Sequence, residues 1–495
     1  MLVGDKVIRG SVYAKEIRDV VIKMEQKVVN PWLVLPPLCL GFFMIMVDTT
    51  IVNIAIPSLI AHFGATVTEV GWVNSVYLLT YAAFLLTFGR MGDRFGPQKL
   101  FLIGLILFTV ASLACGVSQS ITQLIVFRAF QGVGAALLTP QTMSIITRVF
   151  PPHKRGSAMG IWGSVAGVAT IAGPVLGGVF VSTIGWEWIF YVNIPIGVVA
   201  CVWALKVLPN FSPSKQRLDL PGALLSVVGL ACIVFGIQEG DSFNWGHVWG
   251  PISIWPLIII GVLLVALFII RQWKLHDKAL MPLRLFKDRN FALTNLVAAT
   301  VSFTMIAHFL PFTIFLQNGL GMSALNAALI NLPSSLLSGV ISPFAGRLSD
   351  RINPKLIMLA GVLGLLIGVV LVAALVHHDV PHHYYALVML VFGVGTGFVF
   401  AAMSAVVTKD LPYELAGAGS GAYNMLRQTG SVFGAAAAVS VFQASLNAPS
   451  TAQATLQQLS QATSHTLVMV SAVLILGLLA TLALRSSAKK ETQIV

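Results

Sequence analysis

Charge is what this sequence is short of. Of 495 residues, 10% are Asp, Glu, Lys or Arg and 57% are apolar, against about 25% and roughly 45–50% in an ordinary globular chain. A soluble fold of this length could not cover its surface with so few charged side chains, so lipid is the solvent for much of it. Cysteine is scarce as well. Cys39, Cys115, Cys201 and Cys232 all sit inside apolar runs with no CxxC pair, so they read as small buried hydrophobes and not as disulfides or zinc ligands. Also missing are the GxxxxGKS/T, HExxH and GxSxG patterns and any large soluble domain. Nucleotide-driven pumping and familiar hydrolytic chemistry therefore lack their residues, and an enzyme is not expected. Residues 1–30 mix charges throughout and lack the apolar core of a cleavable signal peptide. Their apolar positions Val12, Ile17, Val20, Val21, Met24 and Val28 form a rough helical stripe. That suits either an amphipathic helix on the inner leaflet or a partly ordered tail.

What the chain has in abundance is long apolar runs. A hydrocarbon core of about 30 Å takes about 20 helical residues to cross. Runs of that kind fall near 33–57, 72–89, 100–117, 124–147, 157–181, 188–208, 220–237 and 252–270. Six more lie near 291–316, 326–346, 356–376, 384–406, 417–443 and 466–484. The reading is fourteen spans, an all-α polytopic membrane protein with both termini cytoplasmic. The excess of 30 Lys+Arg over 18 Asp+Glu tests it. With an even count and both ends inside, the basic residues collect on one side: six before residue 30, then Arg90, Arg94, Lys99; Arg148, Lys154, Arg155; Lys206, Lys215, Arg217. Arg271, Lys274, Lys278, Arg284, Lys287 and Arg289 follow, and then Arg347, Arg351, Lys355; Lys409; and Arg485, Lys489, Lys490. Only Arg128 and Arg427 fall within spans, and the outer loops carry none. One span too many or too few would scramble this segregation, so the positive charge reports topology and not nucleic-acid binding. Trp72, Trp186, Trp188 and Trp249 at outer ends, with Trp32 and Trp273 at inner ends, suit interfacial belts.

The chain also repeats itself. Gly89-Arg-Met-Gly-Asp93-Arg94-Phe-Gly96-Pro97 is echoed 257 positions later by Gly346-Arg-Leu-Ser-Asp350-Arg351-Ile-Asn353-Pro354. Further on, Gly156, Gly160 and Gly173 match Gly417, Gly421 and Gly434 at an offset of 261. Two parallel halves of six spans follow, a transporter arrangement with its site between the halves. The expected divisions are an N-terminal segment 1–30, a six-helix bundle 31–208, two additional helices within 209–275, a second six-helix bundle 276–485, and a tail 486–495.

These motifs resemble the major facilitator superfamily and, within it, the fourteen-span drug/proton antiporters of the QacA/EmrB type. The Gly89–Lys99 loop is similar to GxxxDRxGxRR, with Gln98 at one basic position. Val47-Asp48-Thr-Thr-Ile-Val-Asn53-Ile-Ala-Ile-Pro57 resembles LDxTIVNVALP, and Arg128-Ala-Phe-Gln131-Gly132-Val-Gly134 resembles RxxQGxG. Gly173-Pro174-Val-Leu-Gly177-Gly178 is similar to the antiporter GPxxGG box. Trp186 to Gly197 follows WRWIFxINxPxG, with Glu187 where Arg is usual, and Asn424-Met-Leu-Arg427-Gln428-Thr-Gly430 resembles NxxRQxG. The resemblance implies multidrug efflux driven by inward proton flow, through a multi-pass protein of the bacterial plasma membrane. A carrier of one metabolite on the same fold is the alternative.

Asp48 is the only acidic residue well inside a span. A carboxylate at that depth is costly and generally functional. It suits proton loading and release as hydration alternates, or a structural brace in span one together with Asn53. Arg128 cannot lose its proton; proton coupling, which the resemblance implies, competes with a structural tie to carbonyls. Arg427 poses the same question in the second half. Glycines at 156, 160, 163, 167, 173 and 177 let another helix approach span five closely, and Pro174 permits a kink; plain packing and a conformational role both fit. In the loop motif Gly89, Gly92 and Gly96 are expected to allow a short turn. Asp93 and Asp350 are expected either to cap a helix of the facing half or to pair locally with Arg90, Arg94 or Arg351. His308 reads as a hydrogen-bonded packing residue or a proton relay. His377, His378, Asp379, His382 and His383 carry metal-ligand residue types without span-based geometry, so no metal is expected, and no cofactor.

Energetics bound the substrate. One proton crossing about 100 mV and one pH unit releases about 2.3 and about 1.4 kcal/mol, enough for a gradient of roughly 500-fold in a neutral drug. A monovalent cation exchanged one for one uses only the pH part. Expected partners are lipophilic small molecules of neutral or monovalent charge, protons and membrane lipid; a periplasmic adaptor is left open.

Overall fold

The computed structural model describes residues 30–211, 219–249, 252–275, 279–281, 283–377, 380–409 and 416–485. The expectations for residues 1–29, for His378 and Asp379 and for the tail 486–495 lie outside the described residues, as do the side chains of Asp93, Arg155, Asp350 and Arg351 and those around Gly156, Gly160, Gly163 and Gly167.

The fold is helical. The first six expected spans become α1 (Pro31–Phe63), α2 (Val67–Phe95), α3 (Pro97–Gly116), α4 (Ile121–Val149), α5 (Pro152–Thr183) and a sixth span made of α6 (Trp188–Tyr191) and α7 (Asn193–Val207). Then come α8 (Leu220–Glu239) and α9 (Ile254–Leu275), joined by a two-stranded antiparallel hairpin of β1 (His247–Trp249) and β2 (Ile252–Ser253). The next span is α10 (Arg289–Ala307), broken at His308 and continued by α11 (Phe309–Ile314) and a wide turn over Phe315–Gly319. The chain closes with α12 (Ala324–Arg351), α13 (Pro354–Leu375), α14 (His383–Lys409), α15 (Ala416–Ser445) and α16 (Leu456–Ala483).

Local chemistry sets the boundaries. Asn30 accepts the Trp32 N–H and starts α1, and Gly64 ends it at φ 61°, a conformation that glycine adopts without strain. Capping boxes start α2 (Thr66 with Glu69) and α16 (Thr455 with Gln458), each satisfying two orphan N–H groups. Ser120, Asp219, Asp288, Ser323 and Asn353 cap α4, α8, α10, α12 and α13.

Twelve helical segments among the described residues are long and apolar enough to cross a membrane. The expected count was fourteen. The two outside the twelve are α5 and α15, helices of 32 and 30 residues at the fifth and thirteenth expected positions. Both are diluted by glycine, and α15 by Asn424, Arg427 and Gln428. Of α5, the stretch Ala172–Thr183 is the apolar helix counted among the described residues, and both α5 and α15 pack against helices of both halves.

The sequence repeat is visible as a repeat of packing. In the first group α1 packs on α5 and α7, α2 on α4, and α3 on α4 and α7. In the second, α10 packs on α15 and α16, α12 on α14, and α13 on α14 and α16. The groups meet along two seams, α2 against α15 and α5 against α12. The α8–α9 pair leans on the first seam, touching both α2 and α15.

Two ends of the bundle are distinguished by the turns at Gly64 and Gly96. At the Gly64 end the groups are closed on each other. A Cβ at Gly178 would lie 2.9 Å from Leu325 Cα, and the Leu325 N–H donates to Ser182 Oγ at 3.2 Å. Gln317 Nε2 donates to the Ile54 carbonyl at 3.1 Å, and one apolar cluster joins Val52, Ile56 and Val70 to Ile314, Val439 and Phe442. At the Gly96 end α12 leaves Phe344 exposed, and nothing lies within 4 Å of a Cβ at Gly346.

Candidate functional site

The site forms where α1, α3, α4 and α7 converge. Asp48 and Arg128, 80 positions apart, form an ion pair of 2.5 Å with both side chains 0% exposed. Gln131, one turn along α4 from Arg128, lies between the charges. Its Nε2 donates to Asp48 Oδ1 at 2.8 Å and to Ser112 Oγ at 2.8 Å, and its Oε1 accepts from Arg128 Nη1 at 2.7 Å. Cys115 Sγ points at the same Oε1 from 3.7 Å. Asn193 Nδ2 reaches Asp48 Oδ1 at 3.3 Å. Every contact to Asp48 finds its carboxylate as acceptor, a pattern that satisfies the ionised form.

Arg128 is held from three more directions. Its Nε donates to the Val73 carbonyl at 2.9 Å, and its guanidinium carbon lies 4.1 Å from the Tyr77 ring centroid and 5.8 Å from that of Phe190. The tie to a carbonyl is therefore real, and it coexists with the ion pair. Arg128 Nη2, Tyr77 Oη and Asn193 Oδ1 are buried with no hydrogen-bond partner. Orphaned groups of this kind in a charged, sealed site are where a proton or water finds unused capacity.

Close helix approach makes the site possible. A Cβ at Gly132 would strike Tyr77 and Thr80 of α2, and one at Gly134 would lie 2.8 Å from the Phe108 nitrogen of α3. Gly173 lies against Thr50 and Val47 of α1, beside Asp48, and a Cβ at Gly177 would sit 2.9 Å from Ile51 Cγ1. Pro174 is buried between them. The Gly173–Gly178 box thus serves two surfaces: Gly173 and Gly177 meet α1, while Gly178 meets α12 across the seam.

The other expected residues separate. Asn53 donates to the Thr49 carbonyl at 3.0 Å and accepts from Asn74 Nδ2 at 3.1 Å, joining α1 to α2 one turn from the ion pair without touching it. Arg427 is half-buried on α15, in the other group, and its Nε is buried without a partner. The loop motif differs from expectation. Gly89 and Gly92 belong to α2, where a Cβ at Gly92 would lie 2.6 Å from Gln141 Cδ; only Gly96, at φ 98°, makes the turn. Helix propagation from Val67 carries through both glycines because α4 presses on that face. Arg94 is exposed beside Phe95, and Arg90 Nη2 donates to the Ala279 carbonyl at 2.7 Å.

His308 is buried between Phe309 and Phe392, its Nδ1 3.0 Å from the Thr304 carbonyl, which is the packing role. His377 Nδ1 lies 3.3 Å from Ser460 Oγ. No group of metal-ligating residues forms among the described residues. Trp186 is buried among His62, Phe63 and Phe190, so it belongs to the core and not to an interfacial belt. All four cysteines are free; Cys115 is buried and the others are half-buried.

Two parallel helical groups, a closed seam at one end and a sealed ion pair in the span interior define a membrane carrier. The chain belongs to the Major Facilitator Superfamily, whose pattern matches residues 38–435. It is 43% identical over 407 residues to an uncharacterized MFS-type transporter of Mycobacterium tuberculosis, covering 82% of this chain and 69% of that protein. It is 31% identical to Multidrug resistance protein 3 of Bacillus subtilis (80% and 77% covered) and 33% identical to the riboflavin transporter RibZ of Clostridioides difficile (86% and 90%). Among solved structures, a bacterial homolog of the human lysosomal transporter Spinster aligns with a TM-score of 0.64 at 18% identity, over 91% of this chain and 97% of that one. A D-xylose–proton symporter aligns with a TM-score of 0.64 at 13% identity, over 91% and 96%. The protein is a secondary transporter and not an enzyme, an integral multi-pass protein of the bacterial plasma membrane.

Proposed function

We propose that this protein is a proton-driven exporter of lipophilic compounds, working by alternating access through a fourteen-span fold with both termini cytoplasmic. The observation that carries the reading is the sealed Asp48–Arg128 pair. A carboxylate placed this deep against a permanent cation changes the local charge by a full unit when it takes up a proton. Protonation releases Arg128 from its only ion-pair partner among the described residues, and helices α1 and α4 are then free to shift relative to each other. Gln131 and Asn193 hold the carboxylate in place, and Asn53 braces α1 against α2. The Gly173–Gly178 box gives α5 a close surface on both α1 and α12, suited to a rocking contact.

The fourteen-span count rests on the segregation of Lys and Arg, which requires α5 and α15 to cross; the Gly96 end is then cytoplasmic. The domain divisions are 31–208, 209–275 and 276–485. Asp93 and Asp350, with their flanking glycines, serve as contacts made in one state and released in the other. The export reading draws on the relatives named for multidrug resistance and on the Tetracenomycin C resistance and export protein of Streptomyces glaucescens, 32% identical over 415 residues.

The test is transport into everted vesicles energised with acid inside, using a panel of unrelated dyes and comparing the parent with Asp48→Asn. Accumulation of several dyes that stops when the pH difference is collapsed, and is absent in the variant, supports the reading. Movement undiminished by Asp48→Asn removes the coupling role. The riboflavin transporter relative favours a second reading, a carrier of one metabolite, in which a single compound moves and the panel does not.

A further inference from the structure

The charges of the span interior do not cancel. By sequence, Asp48 is the only acidic residue well inside a span, while Arg128 and Arg427 are both there. Asp48 is wholly engaged: Arg128 at 2.5 Å, Gln131 at 2.8 Å and Asn193 at 3.3 Å cover its oxygens, and none of it is exposed. The Arg427 guanidinium has no ion pair and no hydrogen bond among the described residues, and its Nε is buried without an acceptor. A guanidinium keeps its charge at any physiological pH, so this is a standing positive charge inside the membrane.

Its surroundings say which way it faces. Helix α15 is hemmed in by α10, α2, α16, α8 and α14, yet Arg427 is only half-buried. An uncompensated arginine facing hydrocarbon is strongly disfavoured, so its accessible surface opens on the space between the two groups. Tyr423 lies one turn earlier on α15 and is half-buried like Arg427, and Tyr81 stands on α2, the helix that faces α15 across the seam. The Thr139 hydroxyl donates to the Ala135 carbonyl, so in its 2.8 Å contact with Thr139 the Tyr81 hydroxyl is the donor. Its proton is committed, and its ring is buried in the core beside Tyr77. Gln428 is buried beside Arg427.

We propose that Arg427 is the substrate-recognition cation of this carrier, and that the substrates it favours are lipophilic aromatic monoanions whose acidic group pairs with its guanidinium. This rests on the export reading for direction, but the binding preference stands apart from it. A planar fork of N–H donors meets a carboxylate, sulfonate or phenolate with two charge-assisted hydrogen bonds, while half-buried Tyr423, one turn away on the same helix, offers an aromatic surface for the body of the ligand. A lipophilic cation would meet a like charge at the same place.

The experiment uses three probes on one ring system: 1-naphthalenesulfonate, neutral 1-naphthalenesulfonamide and (1-naphthylmethyl)trimethylammonium. Binding to the purified full chain is measured by calorimetry for the parent, Arg427→Gln and Arg427→Lys. The parent binds the sulfonate at least about tenfold more tightly than the cation, the Gln variant brings the three within about threefold by weakening the sulfonate alone, and Lys restores part of the preference. A parent that binds the cation as well as the anion overturns the proposal, and so does a Gln variant that keeps the parent's ranking. Should the Gln variant not fold, the parent ranking and the Lys variant still decide. Transport separates the two readings. A sulfonate preference in binding with no acid-driven movement of any probe supports the anion site and rejects the exporter; acid-driven movement without a charge preference rejects the anion site alone.

Discussion

Gly178 and Leu325 touch backbone to backbone across the α5–α12 seam, and a Cβ on Gly178 would lie 2.9 Å from Leu325 Cα and 2.9 Å from Ala328 Cβ. The Leu325 N–H donates to Ser182 one turn further on. The contact joins the two groups at the Gly64 end on that flank, and glycine is the residue that lets it close.

Gly178→Val inserts a branched side chain into this contact. Overpacking costs about 1–3 kcal/mol, here charged to the closed state alone, so the turnover rate falls about tenfold to a hundredfold while substrate affinity measured in detergent stays near the parent value. Initial rates of vesicle transport set against calorimetric affinity check this. An equal loss of both would place Gly178 in general packing.

Asp48→Asn leaves Arg128 buried without its counter-charge. Breaking a buried pair from one side typically costs about 3–5 kcal/mol, so the thermal unfolding midpoint drops. The double variant Asp48→Asn with Arg128→Gln recovers most of that stability, because no unpaired charge remains, and still lacks proton-coupled transport. A double variant that regained coupling would remove both residues from the mechanism.

Gln131→Leu keeps both charges but removes three hydrogen bonds that join them to Ser112. An unmet buried polar group costs about 1–3 kcal/mol. The expected result is a carrier that folds and binds substrate but whose transport has a displaced pH profile, since the carboxylate loses a donor. Gln131→Glu, which substitutes a second carboxylate beside Asp48, shifts the profile toward alkaline pH, because two like charges this close hold a proton between them. Profiles identical to the parent in both variants would make Gln131 a bystander.

Voltage dependence reports substrate charge. A monoanion leaving as a proton enters moves two charges, releasing about 6 kcal/mol per turnover at about 100 mV and one pH unit, against about 3.7 kcal/mol for a neutral solute. Collapsing the voltage with a potassium ionophore at constant pH difference therefore lowers the steady accumulation of 1-naphthalenesulfonate more than tenfold further than that of the sulfonamide. Equal sensitivity of the two probes contradicts the exchange.

The positions of the helices were legible in the sequence because a run of apolar residues bounded by caps and basic residues has few physical solutions in lipid. The repeat was legible for the same reason, as Gly89–Pro97 and Gly346–Pro354 mark equivalent turns. The internal wiring was not. Asp48 and Arg128 stood out one by one as costly residues, but nothing in a linear string places residue 48 against residue 128. Gln131 and Asn193 were visible within the quoted motifs, and only packing revealed that both reach the same carboxylate oxygen. Gly89 and Gly92 looked like turn formers because glycine usually breaks a helix. Here it is small volume, not backbone freedom, that matters, since Gln141 fills the space against Gly92. The break at His308 escaped notice because Phe309 to Leu316 continues the apolar pattern without a gap.

The α8–α9 pair is fastened to α2 at both ends. Near the Gly64 end, Trp72 Nε1 donates to Glu239 Oε1 at 2.5 Å and Gln238 Nε2 to the Thr68 carbonyl at 3.3 Å. Near the Gly96 end, Arg90 holds the Ala279 carbonyl, and Gln272 accepts the N–H groups of Leu280 and Met281 at 2.6 and 3.2 Å while donating to Asp219, itself bridged to Arg271 at 2.7 Å. Whatever swings α2 must carry these helices along like a shutter hung on one door leaf, sliding over α15 and screening that flank from the bilayer. Among the described residues the α5–α12 flank has no such shutter, which makes the molecule lopsided toward the surrounding lipid even though the packing of its two halves repeats.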